Sequence, residues 1–227
     1  VMMTGNGADI LDVGGYSTRP GAADIIAEEE KIRVLKAIKL ICRELPEAVV
    51  SVDTFRADVA TEAISECGAC IINDISAGEG DIKMFDAVER LKVPYIMVHM
   101  QGNPRTMQDN PVYDDVVADI IRWFSERIFR LQSSGVKDII IDPGFGFGKT
   151  IDQNFEMLSH LSDFAITGLP ILVGVSRKSM IWKTLKITAN EALNGTSVLN
   201  AVALMNGADI LRVHDVREAV QSIKLIE

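Results

Sequence analysis

Short apolar runs rich in Val and Ile alternate along the chain with longer segments whose apolar positions recur every three or four residues. The first pattern is that of a buried strand and the second that of an amphipathic helix. Strands are expected over 9–14, 49–54, 71–75, 95–100, 139–142, 171–175 and 210–214. Helices are expected over 28–45, 58–66, 84–91, 113–134, 154–162, a segment from 179 through 205, and a last one from 216. The opening residues, Val1 to Gly7, read as the tail of a helix running into its glycine terminator. No long Pro/Gly/Ser linker, short repeat or low-complexity tract interrupts the alternation, so residues 1–227 are expected to form one domain.

Strand runs this apolar point to a parallel sheet covered on both faces, either doubly wound or closed as a barrel. Polar or special residues recur at the carboxyl end of nearly every run: Gly14-Gly15, Asp53-Thr54, Asn73-Asp74, His99, Asp142-Pro143-Gly144, Ser176-Arg177-Lys178 and Arg212 with His214. A barrel brings such ends to one mouth, whereas an open sheet gathers them at a switch point. The expected fold is therefore an α/β, (β/α)8 TIM barrel whose first strand and loop precede Val1.

Composition narrows the function. A 48% hydrophobic, 24% charged chain is too apolar for disorder. With 23 Lys+Arg against 32 Asp+Glu the net charge is −9, which argues against binding to nucleic-acid backbones. No run approaches the ~20 apolar residues of a membrane span, so a membrane partner is not expected and the expected compartment is the cytoplasm. Cys42, Cys67 and Cys70 form no disulfide framework, and the spacing Cys67-Gly68-Ala69-Cys70 lacks the context of a redox or metal motif.

Several strand ends suggest chemistry directly. Arg212 and His214 alternate on one expected strand and so face the same way, an arrangement suited to an anion. Lys178 follows the sixth run, and Ser179 opens the next helix, where free N–H groups favour a carboxylate. The run Gly144 to Thr150 is not a phosphate-binding P-loop, because Pro143 stands where that loop needs a glycine and offers no N–H. Its glycines instead suit a tight turn that presents Phe147. The loop Ser17-Thr18-Arg19-Pro20-Gly21 is polar and punctuated by Pro and Gly, as closing loops are. His160 and His99 are read as structural and of low weight, respectively.

Taken in order, the segments Gly7 to Gly21, Ser51-Val-Asp-Thr54, Asn73-Asp-Ile-Ser76, His99 to Pro104, Asp142-Pro-Gly-Phe-Gly-Phe-Gly-Lys149, Ser176-Arg-Lys-Ser179 and Arg212-Val-His-Asp215 resemble dihydropteroate synthase. The resemblance runs from residue 7 to the end of the chain. It implies condensation of 6-hydroxymethyl-7,8-dihydropterin pyrophosphate with p-aminobenzoate, releasing pyrophosphate, with Mg²⁺ as cofactor and a homodimer formed through the last helices. By the same resemblance Asp53, Asn73, Ile75, Asp142, Lys178 and Arg212 bind the pterin. Thr18, Arg19, Pro20, Phe147 and Ser179 meet p-aminobenzoate, and Arg212 and His214 take the pyrophosphate. Lys178, Arg212 and His214 are the expected catalytic groups. The chemistry is coherent, since a carboxylate accepts paired hydrogen bonds from the pterin's nitrogen edge and Asn reads a mixed edge. The pterin methylene can ionise to a delocalised cation, so no protein nucleophile is needed.

Two positions depart from the family pattern: Tyr16 replaces a usual acidic residue, and Val98 a common Met. The expected metal ligand lies before Val1, so no residue here is assigned to the metal. Two rivals remain at this level. A pterin-binding barrel that moves a methyl group from methyltetrahydrofolate to a corrinoid would not need the Ser-Thr-Arg-Pro-Gly loop or the Ser-Arg-Lys-Ser turn. A non-catalytic pterin-binding barrel would bind without releasing pyrophosphate.

Overall fold

The computed structural model describes residues 2–17, 24–103, 107 and 111–227. Among these, seven strands alternate with nine α-helices. The strands are β1 (Ile10–Gly14), β2 (Val49–Asp53), β3 (Ile71–Asp74), β4 (Tyr95–Val98), β5 (Ile139–Asp142), β6 (Leu172–Val173) and β7 (Ile210–Leu211). The helices are α1 (Met2–Gly5), α2 (Ala27–Glu44), α3 (Ala57–Cys67), α4 (Met84–Leu91), α5 (Val116–Ser133), α6 (Ile151–Ser159), α7 (Ser179–Leu185), α8 (Leu193–Met205) and α9 (Val216–Ile226). All seven expected strands form, the last two shorter than their apolar runs. The chain divides into two compact units, residues 1–98 with 127–140, and residues 99–126 with 141–227.

In the first unit the strands pair in parallel and in chain order. The register sets Asp12 beside Ser51, and Gly14 beside Asp53 beside Asn73. Because side chains alternate along a strand, Asp12, Ser51, Asp53 and Asn73 share one face, while Val50, Val52 and Ile72 are fully buried on the other. Each such side chain contributes about 1.5–3 kcal/mol by leaving water. Helix α2 places Glu28, Glu29 and Glu30 in its first turn and Arg43 in its last, matching the helix dipole, and buries Val34, Leu35 and Ile38. Helix α3 stops at Gly68, which takes φ +89° at the cap, and a side chain there would meet Cys42 Sγ at 3.1 Å. The Cys-x-x-Cys spacing thus straddles a helix terminator, and all three cysteines are free thiols.

In the second unit His99 N–H donates to the Asp142 carbonyl, Ile141 bridges Ile171, and β6 pairs with β7 in parallel. Phe124 and Phe164 meet edge-on with centroids 6.4 Å apart in a core that also buries Phe145, Met157 and Leu161. Helix α6 begins at Ile151, three residues before the expected start, because Thr150 and Gln153 form a reciprocal capping box. The segment expected as one helix from 179 breaks at Lys186, whose φ is +56°, and resumes at Leu193 after a 3-10 turn capped by Thr188 and Glu191. His160 terminates α6 and pairs with Asp163 at 3.3 Å, an exposed and structural position.

Candidate active site

Each unit carries a group of polar side chains at its strand ends. In the first, Asp12 accepts hydrogen bonds from Ser51 Oγ and, at 3.1 Å, from Asn73 Nδ2. Asn73 is 3% exposed, and its Oδ1 has no partner among the described residues. A buried carbonyl oxygen left unpaired costs about 1–3 kcal/mol, so Asn73 Oδ1 has unused acceptor capacity. Gly14 gives Asp53 its room, since a Cβ there would stand 3.2 Å from Asp53 Cβ. Ile75 is buried in the turn after β3. That turn is tied down by Asp74, which accepts from Ser76 N–H (2.8 Å), Ser76 Oγ (2.7 Å), Gly78 N–H (2.7 Å) and Tyr95 OH (2.8 Å). Burial pushes the Asp74 carboxyl up, against the pull of those donors.

A second anchor in this unit holds the chain on either side of residues 18–23. Glu30, fully buried, accepts from Thr54 Oγ1 at 2.6 Å and pairs with Arg56. Arg56 also donates to the Ile25 carbonyl at 2.9 Å and lies over the rings of Phe55 (4.9 Å) and Tyr16 (5.6 Å). Tyr16, the departure from an acidic residue, is thus an aromatic platform for Arg56. Thr18, Arg19 and Pro20 lie outside the described residues. A surface cavity of about 600 Å³ on this unit is lined by helix residues such as Lys31, Glu62, Lys83 and Arg90, and by none of the motif side chains.

The second unit gathers Asp142, Phe147, Lys178 and Arg212. Asp142 accepts Gly144 N–H at 2.8 Å. Burial raises its carboxyl above the ordinary range, opposed by Lys178, the Gly144 N–H, Arg212 and Lys149. Lys178 Nζ donates to the Phe145 carbonyl and lies 4.8 Å from the centroid of the Phe147 ring. Its ammonium is pulled down to about 8, chiefly by burial, with Arg212 adding to the shift and Asp142 opposing it. Gly174 leaves the space in which they meet, since a Cβ there would stand 3.7 Å from Arg212 Cβ and 3.8 Å from Lys178 Nζ.

The turn before α7 is held just as firmly. Arg177 adopts φ +55°, donates to both carboxylate oxygens of Asp215 at 2.8 Å, and reaches the carbonyls of Ala189 (3.2 Å) and Asn190 (2.9 Å). Ser179 is the first residue of α7, not its cap; Lys178 occupies the cap position. Arg212 and His214 lie beyond β7, which ends at Leu211, so the expected strand geometry does not account for their placement. Arg212 N–H donates to the Val173 carbonyl, and His214 Nδ1 is 2.9 Å from Ser176 Oγ.

Sequence reasoning overlooked two participants. Asp12 is a carboxylate within an apolar strand, a signal in itself. Lys149 is 2% exposed and bonded to His99 Nδ1, a role that no pattern in the glycine-rich run announces.

Residues 1–214 match the family model described as pterin binding enzyme. The chain belongs to the pterin binding enzyme family. It is 43% identical over its whole length to the dihydropteroate synthase of Escherichia coli K12, covering 80% of that protein. With dihydropteroate synthase of Synechocystis the identity is 39% across 99% of this chain and 78% of the relative. A crystal structure of the Yersinia pestis dihydropteroate synthase with a sulfonamide drug complex superimposes with a TM-score of 0.95 at 39% identity, over 99% of this chain and 82% of that one. The Xanthomonas albilineans enzyme with 4-aminobenzoic acid gives 0.91 at 39% identity, over 99% and 80%. The α/β, (β/α)8 class expected from the sequence holds across this likeness.

Proposed function

We propose that the chain is a dihydropteroate synthase, a transferase that joins 6-hydroxymethyl-7,8-dihydropterin pyrophosphate to p-aminobenzoate in folate synthesis. The observation that carries the reading is the Lys178 ammonium over the Phe147 ring, bonded to the Phe145 carbonyl and under the electrostatic influence of Asp142, in a chain whose full-length relatives bear that name. Asn73, with its unpaired Oδ1, takes a donor of the pterin, and Asp53 and Ile75 are assigned to the same ring. In the second unit Asp142, Lys178 and Arg212 are assigned to the pterin, Phe147 and Ser179 to p-aminobenzoate, and Arg212 with His214 to the departing diphosphate. Thr18, Arg19 and Pro20 are assigned to p-aminobenzoate by resemblance alone.

The reaction follows an SN1-like course. The bond from the pterin methylene to the diphosphate oxygen breaks, diphosphate carries off the electron pair, and the aniline nitrogen of p-aminobenzoate attacks the delocalised cation before losing a proton. What the protein supplies is fixed dipoles and charges around the separating ions. Among the described residues no group of three or more His, Cys, Asp or Glu side chains is placed to hold a metal ion. Mg²⁺ is proposed as a companion of the diphosphate, whose oxygens are its usual ligands, and no residue of this chain is assigned to it.

Three further assignments belong to this reading. The substrates are small molecules, with neither nucleic acid nor membrane as partner; among the described residues no helix is long and apolar enough to cross a membrane. The compartment is the cytoplasm. A homodimer is favoured because α8 exposes Val198 and Met205, with Leu225 exposed on α9.

The test is diphosphate release from the dihydropterin substrate with Mg²⁺, with and without p-aminobenzoate. Release that depends on p-aminobenzoate is expected, with sulfonamides competing for the p-aminobenzoate position. Pterin binding without release would favour the non-catalytic barrel.

A further inference from the structure

We propose that Lys149 is a positioning residue: by gripping His99 and the turn from Gly144 to Phe147, it holds the Phe145 carbonyl and the Phe147 ring against Lys178. The inference rests on the function proposed above for the meaning of Phe147 and Lys178, but its geometry stands alone. Lys149 Nζ has three close polar partners: His99 Nδ1 at 2.9 Å, and the Gly144 and Phe147 carbonyls, to which it donates, each at 3.0 Å; burial pushes the amine well below the ordinary lysine value. At 2% exposure it spends its donors inside the protein.

The gripped turn has no slack. Gly144 has φ +73°, and a Cβ there would fall 1.8 Å from the His99 carbonyl oxygen; at Gly148, φ +65°, it would fall 2.4 Å from that of Gln101. Asn154 Oδ1 accepts Gly146 N–H at 2.6 Å, and Tyr113 OH donates to the Gly148 carbonyl at 2.9 Å. His99 is itself stacked edge-on against Trp123, with centroids 4.7 Å apart. The held turn delivers the Phe145 carbonyl and the Phe147 ring to Lys178. A methionine at 149 would fill the volume without the amine. It would leave two carbonyls and a ring nitrogen without their partner, and the turn free to drift.

The charged groups acting on Lys178 are Asp142 and Arg212, and those acting on Lys149 are Asp142 and Lys178. Burial is the largest cause of the low Lys178 value. Loosening the turn admits water and moves Lys178 upward.

The experiment compares wild type, Lys149→Met and Met157→Ala, the last a cavity at a fully buried residue of the same unit's core that makes no hydrogen bond to the turn. The Lys178 titration is followed by NMR of ¹³Cε-labelled lysine, assigned with Lys178→Arg. In Lys149→Met its midpoint rises from about 8, and KM for p-aminobenzoate rises by about 10- to 100-fold, the scale of a small misplacement. Met157→Ala moves neither. An unchanged midpoint and KM in folded Lys149→Met, or equal changes in Met157→Ala, would overturn the proposal. If Lys149→Met does not fold, His99→Phe, which keeps an aromatic ring but removes one polar partner, is read the same way. Failure of wild-type release would sink the proposed function, while the lysine titration would still decide the role of Lys149.

Discussion

The Nζ of Lys178 lies 4.8 Å from the centroid of the Phe147 ring, the ring presented by the turn that follows β5 and the ammonium by the residue that caps α7. A desolvated ammonium over an aromatic face is worth about 2 kcal/mol. Phe147→Leu keeps the apolar bulk and removes the ring quadrupole. KM for p-aminobenzoate is expected to rise about tenfold in steady-state assays, with thermal stability almost unchanged.

Lys178 also sets a pH dependence. Its value of about 8 lies below the 10.5 of a free lysine. The native state therefore sheds its proton first, and stability rises between about pH 8 and 10.5, where the unfolded chain binds more protons. Activity moves the opposite way, since kcat/KM for the pterin falls as the ammonium is lost above pH 8. Lys178→Met is expected to abolish that limb in the rate profile, and to flatten the rise in denaturant stability over the same window.

Asn73 predicts a separation of stability from binding. Its Oδ1 is buried without a partner, a cost of about 1–3 kcal/mol borne by the free protein. Asn73→Ala removes that cost along with the bond to Asp12. Unfolding free energy is expected to stay level or rise by about 1 kcal/mol, while calorimetry with a non-reactive pterin shows affinity falling by about tenfold or more. A large loss of stability would contradict this account.

Glycine positions divide by what surrounds them. Gly144→Ala drives a Cβ into the His99 carbonyl, whereas Gly207, φ +95°, has nothing within 4 Å. Gly144→Ala is expected to cost about 4 kcal/mol or more, lowering Tm by about 10 °C for a chain of this size. Gly207→Ala costs only the left-handed conformation, about 1–2 kcal/mol. Thermal unfolding of the two variants side by side checks the contrast.

Arg177 holds a left-handed turn through its paired bonds to Asp215. The guanidinium keeps the Asp215 carboxyl below its ordinary range. That stabilisation is full above the unfolded value and fades as pH falls through the lowered native one. Arg177→Lys keeps the charge but loses the fork. It is expected to cost about 2 kcal/mol near neutral pH, and to show a shallower acid loss than wild type in urea titrations.

The alternation of apolar runs and helical segments was enough to place all seven strands and the parallel class, because burial on both faces leaves a continuous Val/Ile signature. Asp53, Asn73, Asp142 and Lys178 stood out as polar residues at the ends of apolar runs, but the roles given to them came from the resemblance to dihydropteroate synthase, since a strand-end carboxylate or amide can equally well cap the following turn. The break at Lys186 and the early start of α6 were decided by local caps that periodicity does not sense. Tertiary structure alone decided the pairing of Asp12 with Asn73, 61 residues apart, and of Lys149 with His99, 50 residues apart. A hydrogen bond depends on distance and direction between atoms that the chain brings together only by folding, so no spacing in the sequence records it.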